Sequence, residues 1–230
     1  MILNIKRDAS VESFEVSGST LLDLLDNIKH TKDPSLAYSS GCRSGVCGSC
    51  AMVVDGVEVL ACSFKPSGGE LVEPLRNSPI IRDLVVDMSK ALEFNAKAKA
   101  YLNEPNAIKI DPASVINELQ SSCILCASCY SVCPVYAING EFLGPFALTR
   151  VWKYVSDKRE SDPKSKIDNI QQNGIWDCTL CNACTLVCPQ GISSKADIEK
   201  LRAKSSQYGY MDPNFSSFGF GGGFDGGTFF

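Results

Sequence analysis

Twelve cysteines stand in three groups: Cys42, Cys47, Cys50 and Cys62; Cys123, Cys126, Cys129 and Cys133; Cys178, Cys181, Cys184 and Cys188. Thiolate is a soft donor that suits iron and inorganic sulfide, and four of them arranged about a core hold its geometry while its charge changes. The first group reads CxxxxCxxC with a fourth Cys further on, the spacing of a 2Fe-2S site. The other two repeat CxxCxxCxxxCP, the spacing of paired 4Fe-4S sites. In that pattern three close cysteines serve one cubane and the fourth, before proline, crosses to the other. The expected sets are Cys123, Cys126, Cys129 and Cys188 for one cluster, and Cys133, Cys178, Cys181 and Cys184 for the second. The chemistry of such groups is one-electron transfer.

Two blander uses of cysteine compete with iron. Disulfide scaffolds are short and secreted, and cysteines two or three residues apart make poor cross-links. Structural zinc takes two CxxC pairs, or one with two histidines, and the single histidine, His30, is far from every group. The repeated CxxCxxC triplet with a fourth Cys before Pro is much more specific for cubanes. His30 reads as a surface residue, and there is no Ser-His-Asp set, Walker loop or GxGxxG fingerprint. No catalytic residue is expected, so bond-making belongs elsewhere.

Around the first group, Gly41, Gly45 and Gly48 supply residues that tolerate positive φ and let backbone N–H groups approach sulfur. Arg43 either adds positive charge beside a reduced cluster or is an ordinary solvated arginine. In the octets, Pro134 and Pro189 turn the chain out of each loop. Ile124, Leu125, Leu180, Leu186 and Val187 are expected to form an apolar wrapping that keeps water away.

The elements that must position these residues are legible in part. Residues 2–5 and 11–16 alternate as a hairpin with its turn at Lys6, Arg7, Asp8 and Ala9. Thr20 and Asp23 make a capping box before a helix whose Leu21, Leu22, Leu24, Leu25 and Ile28 share one face. Residues 51–54 and 57–61 read as strands about Asp55-Gly56, a strong hairpin signal. Residues 80–102 read as one long helix bridging two domains, with Ile81, Leu84, Val85, Met88, Leu92 and Ala96 on a common side. Amphipathic stretches follow at 147–155, with Leu148, Val151, Trp152 and Val155 inward, and at 195–203, with Ile198 and Leu201 inward.

The expected fold is α+β: an N-terminal β-grasp 2Fe-2S ferredoxin domain over 1–104 with its bridging helix, then an all-α two-cluster ferredoxin-like domain over 105–204. The octets recur about 55 residues apart, an internal duplication. Residues 205–230 are rich in Gly and Phe, without periodicity. They read as a disordered tail or, the favoured reading, as a segment whose Tyr208, Tyr210, Phe215, Phe218, Phe220 and Phe224 dock on a partner subunit.

The chain of 230 residues is 44 % apolar with a formal net charge of −4, enough for two cores and without the basic footprint of a nucleic-acid binder. No leader pattern opens it and no run of about 18 apolar residues crosses a bilayer. A cytoplasmic chain, peripheral on a membrane through partners, is expected.

The string from Gly41 to Cys50 with Ala51-Met52-Val53-Val54 and Cys62, joined to Cys123 through Pro134 and Cys178 through Pro189, resembles the iron-sulfur subunit of succinate dehydrogenase and fumarate reductase. The resemblance spans roughly residues 1–202, including Gly144-Pro145, Leu148 and Asp157. It implies a flavoprotein partner that interconverts succinate and fumarate at FAD, and electrons running to or from a quinone or another carrier. Two departures stand out. Relatives with a 3Fe-4S third cluster carry a noncysteine residue where this chain has Cys181, so a second 4Fe-4S is expected with 3Fe-4S as the alternative. The quinone-site tryptophan that many relatives carry after Cys133-Pro134 is replaced here by Val135, Tyr136, Ala137 and Ile138. Both changes resemble a subgroup whose third subunit is Cys-rich and similar to part of heterodisulfide reductase instead of a haem-bearing membrane anchor. Rival readings are a stand-alone multi-cluster ferredoxin and the iron-sulfur subunit of a different flavin oxidoreductase.

Overall fold

A computed structural model describes residues 1–8, 10–103, 105–106 and 118–214. Strands β1 (Ile2–Arg7) and β2 (Ser10–Glu15) pair antiparallel, Ile2 opposite Glu15 and Arg7 opposite Ser10. Towards the turn, β1 runs two residues and β2 one residue further than the alternation suggested. Alternate β1 side chains Leu3 and Ile5 are fully buried, as the two-residue period of a strand requires. Helix α1 (Leu21–Thr31) begins on the expected capping box: Thr20 Oγ1 accepts the Asp23 N–H at 3.2 Å and Asp23 Oδ2 accepts the Thr20 N–H at 3.0 Å. Its stripe Leu21, Leu22, Leu24, Leu25 and Ile28 is buried in the same core as Leu3, Ile5 and Met52.

Strands β3 (Ala51–Val54) and β4 (Val57–Leu60) form the hairpin about Asp55 and Gly56, both at positive φ (48° and 83°), as a tight two-residue turn matched to strand twist needs. Strand β5 (Leu71–Glu73) lies parallel to β1 and antiparallel to β3, giving a five-stranded sheet in the order β2-β1-β5-β3-β4. This is the expected sheet domain, with the first cysteine loop spanning the gap from α1 to β3.

Residues 80–102 are not one helix. They form a small hairpin of β6 (Ile80–Arg82) and β7 (Val85–Val86), and then α2 (Ser89–Lys97). The cause is Asp83, left-handed at φ 48° and buried, whose carboxylate accepts from Arg7 Nε at 2.9 Å and from the Ala37 N–H at 2.7 Å. That anchor fixes a turn inside the periodic run, and the β-branched Ile80, Ile81, Val85 and Val86 suit a pleat.

The helical part comprises α3 (Glu118–Ser121), α4 (Ser128–Ser131), α5 (Pro134–Ile138), α6 (Pro145–Val155), α7 (Pro163–Asp168), α8 (Ala183–Leu186) and α9 (Ser194–Gln207). Leu148 and Val151 of α6 and Ile198 and Leu201 of α9 are fully buried, as read from the sequence, whereas Trp152 is only partly so. Phe94 of α2 stacks on Tyr130 (centroids 6.5 Å) and meets Tyr136 edge-on at 6.2 Å. Tyr130 in turn packs edge-on against Phe146 at 4.6 Å. Gly144 at φ +82° lets that ring in, because a Cβ there would lie 2.0 Å from Tyr130.

Lys166 and Glu160, whose side chains are 0 % exposed, pair at 3.1 Å. Lys166 Nζ also donates to the Tyr101 carbonyl at 2.6 Å, and Glu160 accepts the Asn103 and Asp162 N–H groups. This pair ties residues 99–103 to the segment leading into α7. Helix α9 runs through Gln207, so regular structure persists past residue 205. Tyr208 packs against the core and Tyr210 Oη donates to Asp168 Oδ1 at 2.7 Å. Both rings lie on this chain itself. Glu104, and Phe215, Phe218, Phe220 and Phe224, lie outside the described residues.

Candidate iron-sulfur centres

Cys42, Cys47 and Cys50 stand on the loop between α1 and β3, and Cys62 follows β4. The loop turns its backbone N–H groups onto sulfur. Cys42 Sγ accepts from Ser44, Val46 and Cys47 at 3.4, 3.3 and 3.2 Å, Cys47 Sγ from Cys42 at 3.3 Å, and Cys62 Sγ from Gly45 at 3.2 Å. Such a nest of donors favours anionic sulfur. The Ser44, Val46 and Cys47 groups draw the Cys42 thiol down to about 6, and the Cys42 N–H lowers Cys47. Cys50 is buried, and burial pushes it up to about 11. Gly41 is required by crowding, since a Cβ would meet Cys47 Sγ at 2.9 Å. Arg43 adopts φ 59° and pairs with Asp26 of α1 at 2.6 Å, and Asp26 also accepts the Tyr38 hydroxyl. The Arg43 cation is therefore partnered, which narrows the choice left by the sequence.

The two octets are the same structure twice. Left-handed residues fall at Leu125 (φ 55°) and Ala127 (φ 59°) in the first, and at Leu180 (φ 55°) and Asn182 (φ 70°) in the second. One-turn helices α4 and α8 follow each. Cys123 lies close enough to Cys126 and Cys188, and Cys133 close enough to Cys178 and Cys181, for the neighbouring charges to add to the upward push of burial. A cavity is walled by Cys123, Cys126, Cys129 and Cys188 with the apolar Ile124, Leu125, Phe146 and Ile192. On the other side Cys184 feels Cys178, Cys133 and Cys181. Burial pushes Cys123, Cys126, Cys129, Cys133 and Cys178 upward and Cys184 to about 12. Thiols so placed ionise readily only against the positive charge of bound metal. Cys133 caps α5, its Sγ accepting the Tyr136 N–H at 3.5 Å ahead of Pro134, and Cys188 Sγ accepts the Ile192 N–H at 3.4 Å.

The donor sets fit the groups that the spacing implies: four thiols each, backbone donors on sulfur, and an apolar wall at the first cubane. Among the described residues no three His, Cys, Asp or Glu side chains converge as ligands of a single ion do. Cubane ligands stand further apart because each binds its own iron.

The first loop meets the second quartet directly. At Gly48, φ +74°, a Cβ would lie 2.8 Å from Cys126 Cβ and 3.1 Å from the Ile124 carbonyl. Beside that contact, Asn77 Nδ2 donates to the Tyr130 and Ser131 carbonyls at 3.0 and 2.9 Å, and the Arg76 N–H donates to Ser131 Oγ at 2.9 Å. Ser131 Oγ donates to the buried Glu58 at 2.8 Å, which Arg76 pairs at 2.9 Å. Strand β4 and the segment carrying Cys129 and Cys133 are thus pinned together.

Residues 4–93 match the 2Fe-2S iron-sulfur cluster binding domain family, and residues 119–192 the 4Fe-4S dicluster domain family. The fumarate reductase iron-sulfur subunit of Escherichia coli O6:H1 is 38 % identical over 200 residues, covering 82 % of each chain. The chain belongs to the iron-sulfur subunits of fumarate reductase and succinate dehydrogenase. The 8-methylmenaquinol:fumarate reductase iron-sulfur subunit of Wolinella succinogenes is 33 % identical over 212 residues, covering 85 % of this chain and 66 % of that one. The fold is that of a chain of the Mycobacterium smegmatis Sdh1 complex in the apo form, with TM-score 0.80 at 24 % identity over 92 % of this chain and 98 % of the other. Members of this family are subunits of oxidoreductases, and the expected 2Fe-2S domain followed by a 4Fe-4S domain is what the chain has.

Within this family member, one expected wrapping residue departs: Leu186 is 79 % exposed at the end of α8, so it shields nothing. His30 is exposed on α1. Among the described residues no helix is long and apolar enough to cross a membrane. Two features had no signal in the cysteine pattern. One is the Asn77, Glu58 and Ser131 lock, whose members are scattered in sequence. The other is Arg202 of α9, which stacks on Trp176 at 5.4 Å and donates to the Cys178 carbonyl at 2.6 Å. It brings a fixed cation beside Cys178, where it works against the burial that pushes that thiol up.

Proposed function

We propose that this chain carries electrons between FAD on a flavoprotein subunit that interconverts succinate and fumarate and a third, quinone-reactive or Cys-rich subunit. One 2Fe-2S cluster is held by Cys42, Cys47, Cys50 and Cys62. One 4Fe-4S cluster is held by Cys123, Cys126, Cys129 and Cys188, and another by Cys133, Cys178, Cys181 and Cys184. These groups supply reversible one-electron uptake.

The observation that carries the reading is adjacency. Gly48, between Cys47 and Cys50, touches Cys126, and Cys129 of the second quartet feels the charge of Cys184 in the third. The chain's own residues keep the path short: the Glu58 and Asn77 lock holds the first site against the second, and the crossed cysteines of the duplicated loops hold the second against the third. The apolar wall lowers the local dielectric and excludes water. Cys181, and the absence of tryptophan after Pro134, support a Cys-rich third subunit similar to part of heterodisulfide reductase. The complex is then peripheral on the cytoplasmic face of a membrane through its partners.

Affinity purification of the full-length chain from anaerobic native cells tests this. A co-purifying flavoprotein, and reduction of the 2Fe-2S EPR signal centre by succinate, are expected. A stable holo-monomer that succinate leaves oxidised would favour the stand-alone carrier instead.

A further inference from the structure

The duplicated loops are alike in backbone and unlike in cover. Cys126 and Cys181 are equivalent residues, each between two left-handed positions. Cys126 lies under Gly48 of the first loop, with Ser128 Oγ 3.4 Å from its sulfur. At the place of Ser128 the second loop has Ala183, which offers no hydroxyl. Among the eight cysteines of the octets Cys181 alone is exposed, while Cys133 and Cys184 are buried and Cys178 is half-buried. Leu186, one helical turn on, is also exposed. Three ligands of the third quartet are therefore sheltered and one faces water.

We propose that the iron bound by Cys181 is an exchangeable vertex, released on oxidation and taken back on reduction. The inference rests on the reading of the third quartet as a 4Fe-4S site. A one-electron oxidant takes one electron from the dicationic four-iron core. The bond between iron and Cys181 Sγ breaks, the iron leaves as the ferrous ion, and a monocationic three-iron core stays on Cys133, Cys178 and Cys184. The thiolate keeps the electron pair of that bond and takes a proton from water. Return of ferrous iron with one electron from a reductant reverses each change. Water and oxidant reach the vertex because its thiolate is the uncovered one, and thiol chemistry follows exposure. The covered Cys126 holds its iron under the same conditions.

The test uses the full-length holo-chain, prepared anaerobically and titrated with ferricyanide. Released iron is counted, the three-iron EPR signal is integrated, and freed thiols are alkylated with iodoacetamide and mapped by mass spectrometry. One iron per chain, one three-iron spin, and labelling at Cys181 about tenfold above any other cysteine are expected. Ferrous iron with dithionite should erase the signal and the labelling together. Ala183→Ser, which restores the hydroxyl found beside Cys126, should slow the release several-fold while leaving iron content before oxidation unchanged. Labelling spread evenly over the Cys178 group, release from the Cys126 vertex first, or no release at all overturns the inference. A three-iron core or zinc at the third site before any oxidant is added refutes instead the cubane reading on which it rests.

Discussion

Gly48→Ala and Gly45→Ala form a pair that measures how tightly the first site is pressed on the second. Both glycines have φ +74°, but a Cβ on Gly45 would meet nothing within 4 Å, while one on Gly48 would meet Cys126 Cβ at 2.8 Å and Cys126 Cα at 3.1 Å. Alanine at either place carries the left-handed penalty of about 1–2 kcal/mol. At Gly48 the obstacle is backbone and cannot swing aside. Reaching ordinary contact at 3.4 Å opens the two loops by about 0.6 Å, and overpacking of that kind adds about 1–3 kcal/mol. Gly45→Ala should therefore lower stability by about 1–2 kcal/mol, and Gly48→Ala by about 2–5 kcal/mol with the first site displaced. Anaerobic urea denaturation of the full-length holo-chain, followed in the visible cluster bands, gives the energies. Low-temperature EPR relaxation of the reduced 2Fe-2S signal gives the separation, since a neighbouring paramagnet speeds relaxation less as it recedes. Equal losses in the two variants, with unchanged relaxation in Gly48→Ala, would refute the direct contact.

Cys188→Ser should damage the cluster of the Cys123 cavity and spare the Cys178 group, read by EPR and iron content; damage confined to the Cys178 group would show the crossover to be wrong. Lys166→Met strands the Glu160 carboxylate in a site where both side chains are 0 % exposed, so unfolding should come about 3–5 kcal/mol sooner, with Glu160→Gln in the same chain recovering most of it. A loss below about 1 kcal/mol for the single variant would contradict that. Asp197, buried beside Gln120 and Lys200, is raised above its ordinary value of 3.8 by burial. Its folded form takes up a proton more readily than its unfolded form, so its contribution is best below 3.8 and falls as pH rises through the raised value. Asp197→Asn should therefore gain on the native chain as pH rises through that window, and parallel stability profiles would overturn the sign.

Features encoded within a few residues were legible. The Thr20 capping box and the Asp55-Gly56 turn each depend on neighbours in sequence, and each forms as read. The long helix at 80–102 failed because Ile81, Leu84, Val85 and Met88 fit a helical period, while the decisive partner of Asp83 is Arg7, in another strand. The expected shielding by Leu186 failed for a related reason. An apolar residue between ligands says nothing of which way a one-turn helix faces, and α8 turns Leu186 outward. Asn77 carries no local motif, although its φ of 61° and its bonds to the Tyr130 and Ser131 carbonyls make it a clamp. The tail reading met its limit at α9, whose continuation through Gln207 brings Tyr208 and Tyr210 back onto the chain.

The central claim, that three thiol quartets hold one 2Fe-2S and two cubane clusters, is tested most directly by iron and acid-labile sulfide analysis with Mössbauer spectroscopy on anaerobically prepared full-length protein. About ten irons and about ten sulfides per chain, divided between one two-iron and two four-iron spectra, are predicted. Zinc in the quartets, or iron without matching sulfide, would contradict it.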